Sequence, residues 1–132
     1  MATTNAQIIL DSSTTDTPLS ISNVTTLNTA GTTTGVNTMT SVTKVLSSTT
    51  QADLITTASV STTHAYVYIK NPSTDASEFF KITIGAHDGA ETEEIGRLYA
   101  GDFMFFPWDV DDDITCIPST ADDMTIEYMV FS

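Results

Sequence analysis

The stretch LYAGDFMFFPWDVDDD, residues 98–113, decides the fold. Residues 103–108 are six apolar side chains in succession, and a near-continuous acidic run follows them. As a strand, Phe103, Phe105 and Pro107 face one way and Met104, Phe106 and Trp108 the other. Both faces are apolar, whereas a strand on a half-solvated antiparallel sheet shows one polar face. This strand is therefore expected to be covered on both sides. One side meets a sandwich core. The other meets the N-terminal half of the chain, a neighbouring subunit or a partner. Aromatic residues and Met anchor protein interfaces, so Phe103, Met104, Phe106 and Trp108 are the expected contact residues. Pro107 marks an edge strand or an exit from the sheet. The acids after Trp108 return the chain to water and discourage edge-to-edge aggregation.

Working outward, the second half reads as strands between turn signals. In HAYVYIK, residues 64–70, Ala65, Val67 and Ile69 share one face, and His64, Tyr66, Tyr68 and Lys70 the other. NPSTDAS, residues 71–77, is a loop of turn formers. EFFKITIG follows, with Phe80, Ile82 and Ile84 on its core face, and is expected to pair with HAYVYIK as a hairpin. AHDGAETEE, 86–94, is a polar loop, IGRLY, 95–99, a short strand and AGD, 100–102, a tight turn in which Gly101 can take positive φ. DITCI, 113–117, and MTIEYMVF, 124–131, are further strands, the last with Met124, Ile126, Tyr128 and Val130 on one face.

The first half differs in kind. Residues 1–63 contain no Phe, Tyr or Trp, are dominated by Thr and Ser, and carry only Asp11, Asp16, Asp53 and Lys44 as charges. Branched Thr suits a pleated surface, so these residues can supply strands. AQIIL, LSISNV, MTSVTKVL and ADLITT are the candidates. Alternatively, the segment is an extended arm, too poor in apolar mass to fold alone, that packs on other subunits or on a scaffold. A glycosylated stalk fits less well, because only Pro18 lies in this half. Ser48 and Gln51 have capping-box spacing, with room for one short turn. Almost nothing else reads as helix. Many short strands without helical crossovers predict an all-β, antiparallel, jelly-roll-like sandwich or barrel. The expected organisation is a single domain over 1–132, with an extended Thr/Ser-rich arm over 1–30 and an aromatic-rich strand core over 64–132.

Charge narrows the function classes. The chain has 132 residues and a net charge of −13, with Lys44, Lys70, Lys81 and Arg97 as its cations. Such a surface repels phosphate backbones and anionic lipid, so no nucleic-acid or membrane partner is expected. No apolar run is long enough to span a bilayer. The start MATTNAQIIL lacks a basic n-region and an apolar h-region, and Cys116 has no second cysteine to pair with. Synthesis in a reducing cytoplasm is the expectation.

Candidate chemistry is sparse. His64 and His87 have no Cys or carboxylate at metal-ligand spacing and read as solvated. Cys116 alternates with Ile114 and reads as a small core residue. Asp109, Asp111 and Asp113 are calcium candidates by composition, although the run lacks the glycine and distal glutamate of an EF-hand. Glu91, Glu93 and Glu94 read as a solvated acidic loop. Paired carboxylates could hydrolyse glycosides only within a defined cleft, for which the sequence gives no sign. No cofactor is expected.

AYVYIKNPSTDASEFFKITIG followed by EIGRLYAGDFMFFPW resembles small structural proteins of tailed bacteriophages, notably marine and cyanobacterial phages. In these a YVYIKN-type strand precedes a polar loop, and an L-x-A/P-G-E/D-F-x-F-F-P segment follows. The resemblance covers residues 64–108, and the aromatic-free start is similar to the extended N-terminal segments of capsid decoration proteins. It implies a β-sandwich or barrel that binds the assembled shell through the major capsid protein, as a homo-oligomer and most simply a trimer, at the virion surface. It carries over no catalytic residue. Tail, neck and fibre-base proteins share these features. A host-receptor or glycan-binding module is the rival from another class, with Trp108, Tyr66 and Tyr68 as exposed platforms beside Asp109, Asp111 and Asp112.

Overall fold

The structure is a computed structural model and describes residues 3–13, 19–85 and 92–132. His87, Glu91, Asp16 and Pro18 lie outside the described residues. The chain divides into two compact units, Met1–Asn37 and Thr38–Ser132, so the boundary falls after the arm expected over 1–30.

The first unit is built on β1 (Asn5–Ser12) and β2 (Leu19–Thr26), an antiparallel ribbon in which Leu10 lies opposite Ile21 and Asn5 opposite Thr26. The segment expected as an extended arm thus holds the two strands read from AQIIL and LSISNV, paired as a ribbon. Beyond it, the Leu27 N–H donates to the Thr4 carbonyl and the Val36 N–H to the Leu27 carbonyl. An isolated bridge joins Asn28 to Gly35 around a Thr-rich turn. Gly31 takes φ +66° there, where a side chain would be strained.

The second unit contains β3 (Met39–Leu46), β4 (Ala52–Ile55), β5 (Ala65–Lys70), β6 (Phe79–Ile84), β7 (Glu93–Tyr99), β8 (Phe103–Trp108), β9 (Ile114–Pro118) and β10 (Met124–Phe131). They form two open four-stranded antiparallel sheets, β3-β10-β5-β8 and β4-β9-β6-β7. The pairings β6/β7, β5/β8, β4/β9 and β3/β10 are nested, as in one long hairpin rolled into two layers. This is the jelly-roll arrangement, so the all-β expectation resolves as a sandwich and not a closed barrel. Thr38 and Ser132 close the outermost pairing with reciprocal backbone hydrogen bonds of 2.9 and 3.0 Å.

The core lies between the sheets. Val67, Ile69, Trp108 and Ile126 from one sheet meet Phe80, Ile82, Ile114 and Cys116 from the other, all within 2% of complete burial. A bulge between Asp53 and Ile55 turns both Leu54 and Ile55 inward, which simple alternation would not do. Lys44 also points inward from the edge strand β3, and its ammonium donates to the Asp53 carbonyl. An inward charge of this kind deters pairing along an exposed edge.

Two expectations are corrected. HAYVYIK and EFFKITIG do not form a hairpin, because β5 and β6 belong to opposite sheets. Their apolar faces meet across the core instead of lying side by side. The link is held by Asn71, which is fully buried: its amide donates to the carbonyls of Leu98 (3.1 Å) and Glu78 (3.5 Å), and its side-chain oxygen accepts from the Ser73 N–H (3.1 Å). Its backbone bonds Asp102 and Gly101, tying the exit of β5 to the YAGD turn before β8. The capping-box turn at 48–51 is not helical either. Ser48 bonds Thr50 locally, and Gln51 reaches the buried hydroxyls of Thr83 (3.2 Å) and Thr115 (2.7 Å). The single short 3-10 turn among the described residues is Thr57–Ser59.

Candidate interaction surfaces

The first surface is the outer face of the β3-β10-β5-β8 sheet. It exists because each strand spends its alternate residues on the core. With Ala65, Val67 and Ile69 inward, β5 must turn Tyr66 and Tyr68 outward. With Met104, Phe106 and Trp108 inward, β8 turns Phe103, Phe105 and Pro107 outward. Across the sheet, Pro107, Tyr66, Phe131 and Met39 form one row, and Phe105, Tyr68, Met129 and Ser41 the next. The third row holds Phe103, Lys70, Glu127 and Thr43. Tyr66 and Phe105 stack with centroids 6.1 Å apart and planes 4° from parallel. Tyr68 meets Phe103 at 5.8 Å, and His64 meets Tyr66 edge-on at 5.0 Å. Phe103 remains 63% exposed.

The expected contact set is therefore split. Phe103 is on this surface, while Met104 and Phe106 are half-buried against the core. Trp108 is corrected outright: it is 2% exposed and belongs to the core, not to a contact or a stacking platform. Its indole N–H donates to the Asp112 carbonyl at 3.0 Å, curling the acidic run back over the ring. Phe105, which sequence reasoning passed over, takes its place on the outer face. Six apolar residues in a row define two faces but not which one is inside.

The acidic run does not assemble as a cation site. Asp113 accepts the Thr57 N–H at 2.7 Å and Asp109 faces the Asp111 N–H at 3.5 Å. Among the described residues no three His, Cys, Asp or Glu side chains gather where they could hold a metal ion. Of the calcium candidates, Asp109 and Asp113 each accept a loop backbone N–H. Burial pushes the Cys116 thiol up to about 12, which keeps it protonated at neutral pH and unsuited to nucleophilic attack. On the outer face of the other sheet Phe79 packs on Tyr99 at 5.2 Å, with the Arg97 guanidinium 5.1 Å from the Phe79 ring centre. Glu94 bonds Arg97 at 3.3 Å, holding the guanidinium pKa above its ordinary value, and approaches Lys81 at 3.6 Å.

The second surface is on the ribbon. The register places Ala6, Ile8, Leu10, Leu19 and Ile21 on one face, with Asn23 and Thr25 beside them. Ile8, Leu10, Leu19 and Ile21 are each 44–53% exposed. The opposite face carries Ile9 and Val24, 58% and 59% exposed, among polar residues that pair as Thr26 to Asn5 (3.0 Å), Ser20 to Asp11 (2.6 Å) and Gln7 to Ser22 (3.4 Å). The first face is the more apolar of the two, and it is uncovered. The apolar residues of AQIIL and LSISNV carry this signal, which the sequence reading used only to place strands.

No family model matches the chain, and no curated protein matches it significantly. Among solved structures, a crystal structure of the Yersinia pseudotuberculosis-derived mitogen is similar at a TM-score of 0.43 and 11% identity, over 71% of this chain and 85% of that one.

Proposed function

We propose that this chain is a non-enzymatic virion structural protein of the capsid decoration type, made in the host cytoplasm and bound to the major capsid protein on the assembled phage head. The observation that carries the reading is the β1–β2 ribbon, which forms part of a separate unit and presents an uncharged apolar face to solvent. A two-stranded ribbon is marginally stable alone and gains most from being pressed against a larger surface. The resemblance of residues 64–108 to phage structural proteins supports the same reading.

The mechanism is linkage. A protein that buries surface only on assembled subunits stabilises the assembly over its dissociated parts by mass action. The ribbon supplies the grip, and the rigid sandwich supplies bulk that bridges subunit joints. The net charge of −13 keeps densely packed copies soluble.

The test is co-sedimentation with shells that lack the protein. Wild-type chain is expected to bind to a fixed number of copies per capsomer. Leu10→Asp with Ile21→Asp places two charges on the ribbon face and is expected to abolish binding while the sandwich melts unchanged. Shells that sediment without the folded wild-type chain would sink the decoration reading and move tail, neck and receptor-binding roles ahead of it.

A further inference from the structure

We infer that the outer aromatic face of the β3-β10-β5-β8 sheet is the seat of a second copy of this chain, packed sheet against sheet. The proposal goes beyond the shell-binding reading and does not depend on it.

Three observations select this occupant. The first is charge. Each copy carries −13, so two copies approach only through surfaces that bring few acids together. The three rows of this face carry one acid, Glu127, directly opposite Lys70 in the register, and Asp109 and Asp123 lie beyond the strand ends. The second is size. Four strands of six to eight residues give a plane of roughly 400 Å², from a strand spacing of about 4.8 Å and a rise of about 3.3 Å per residue. Counted on both partners that is roughly 800 Å², the size of a weak, concentration-dependent pairing. The ribbon face is about half as wide and falls well short by itself. The third is preorganisation. Tyr66 is already stacked on Phe105, and Tyr68 touches Phe103 with the rings tilted by 31°, so the anchors lose little rotamer freedom on binding. Aromatic anchors of this type concentrate binding energy at the centre of interfaces.

Packing like faces is isologous and closes at two copies, so the assembly is a dimer rather than the trimer expected from sequence. Because the partners repel at long range and attract at short range, pairing tightens with added salt, which screens the repulsion.

Sedimentation velocity on the full chain at about 1 to 100 µM, the range set by an interface of this size, is the test. The wild type is expected to move from monomer to dimer over that range, with several-fold tighter pairing in 0.5 M than in 0.05 M NaCl as screening predicts. Phe103→Asp and Phe105→Ser are expected to weaken pairing at least tenfold. Phe103→Asp keeps the fold because its side chain is largely in solvent. Leu10→Asp is expected to leave pairing intact. A monomer throughout would overturn the proposal and return the face to a different partner. Loss of pairing in Leu10→Asp would overturn it in favour of ribbon contacts, and pairing that weakens with salt would overturn it in favour of ionic contacts. Shell binding is read separately, so failure of either proposal leaves the other standing.

Discussion

Leu10 and Ile69 are both apolar residues on β-strands, yet Leu10 is 53% exposed and Ile69 is 0% exposed. The ribbon that carries Leu10 has two strands. The sandwich that carries Ile69 closes a second sheet over it. Alternation assigns a side chain to a face, but burial requires another layer opposite that face. The ribbon meets the first condition and, among the described residues, not the second. This is why the same type of residue holds the body together in one region and stays exposed in the other.

The comparison breaks most visibly at Trp108. Trp108→Ala removes the largest fully buried side chain and its hydrogen bond to Asp112, and is expected to cost about 3–5 kcal/mol. Urea unfolding followed by circular dichroism measures it. A cost near zero would mean that the ring is not in the core. Next in size is Asn71→Leu, which keeps the number of heavy atoms but strands the carbonyl of Leu98 and the N–H of Ser73, at about 1–3 kcal/mol from the lost hydrogen bonds. The same titration would show it, and faster hydrogen exchange at Gly101 and Asp102 would locate it at the link between β5 and β8.

A third test uses pH. The Cys116 thiol ionises near its ordinary value of 9.0 in the unfolded chain and only at about 12 in the folded one. A raised folded value stabilises fully below pH 9 and is lost as pH climbs through the folded value. Stability should therefore fall by up to about 1.4 kcal/mol per pH unit above pH 9, and this component should vanish in Cys116→Ala. Burial likewise raises the Tyr128 phenol, whose contribution sets in at higher pH and survives that substitution. Parallel alkaline slopes in the two proteins would refute the assignment. The smallest effect belongs to the ribbon. Leu10→Ala is expected to change the unfolding of the sandwich by less than about 0.5 kcal/mol, because Leu10 is half in solvent and outside the core cluster. A loss of several kcal/mol would show that the ribbon is part of the body.

Strand positions were legible in the sequence because alternation is local. MTSVTKVL is β3 without adjustment, and the apolar alternation of MTIEYMVF marks the buried face of β10. Partners were not legible. β5 precedes β6 directly, but it pairs with β8 and β10, since sheet membership is settled by contacts between distant residues. Trp108 was misplaced for a related reason: with both faces of residues 103–108 apolar, only the opposing sheet decides which is inside. Asn71 read as a turn former because a buried hydrogen-bond hub and a solvated loop residue look alike until the carbonyls of Leu98 and Glu78 are brought to it.

The nesting of the strand pairs also sets a timetable. β6 and β7 are the innermost pair and β3 and β10 the outermost, closed by Thr38 and Ser132. Each outer pair encloses a longer loop, so folds dominated by such distant pairings assemble in milliseconds to seconds. The β1–β2 hairpin needs only neighbouring residues and forms within about 1–10 µs. It opens and closes many times before the sandwich is complete. Refolding followed by a probe on the ribbon and by Trp108 fluorescence should accordingly show two separate phases, a fast one from the ribbon and a slow one from the sandwich.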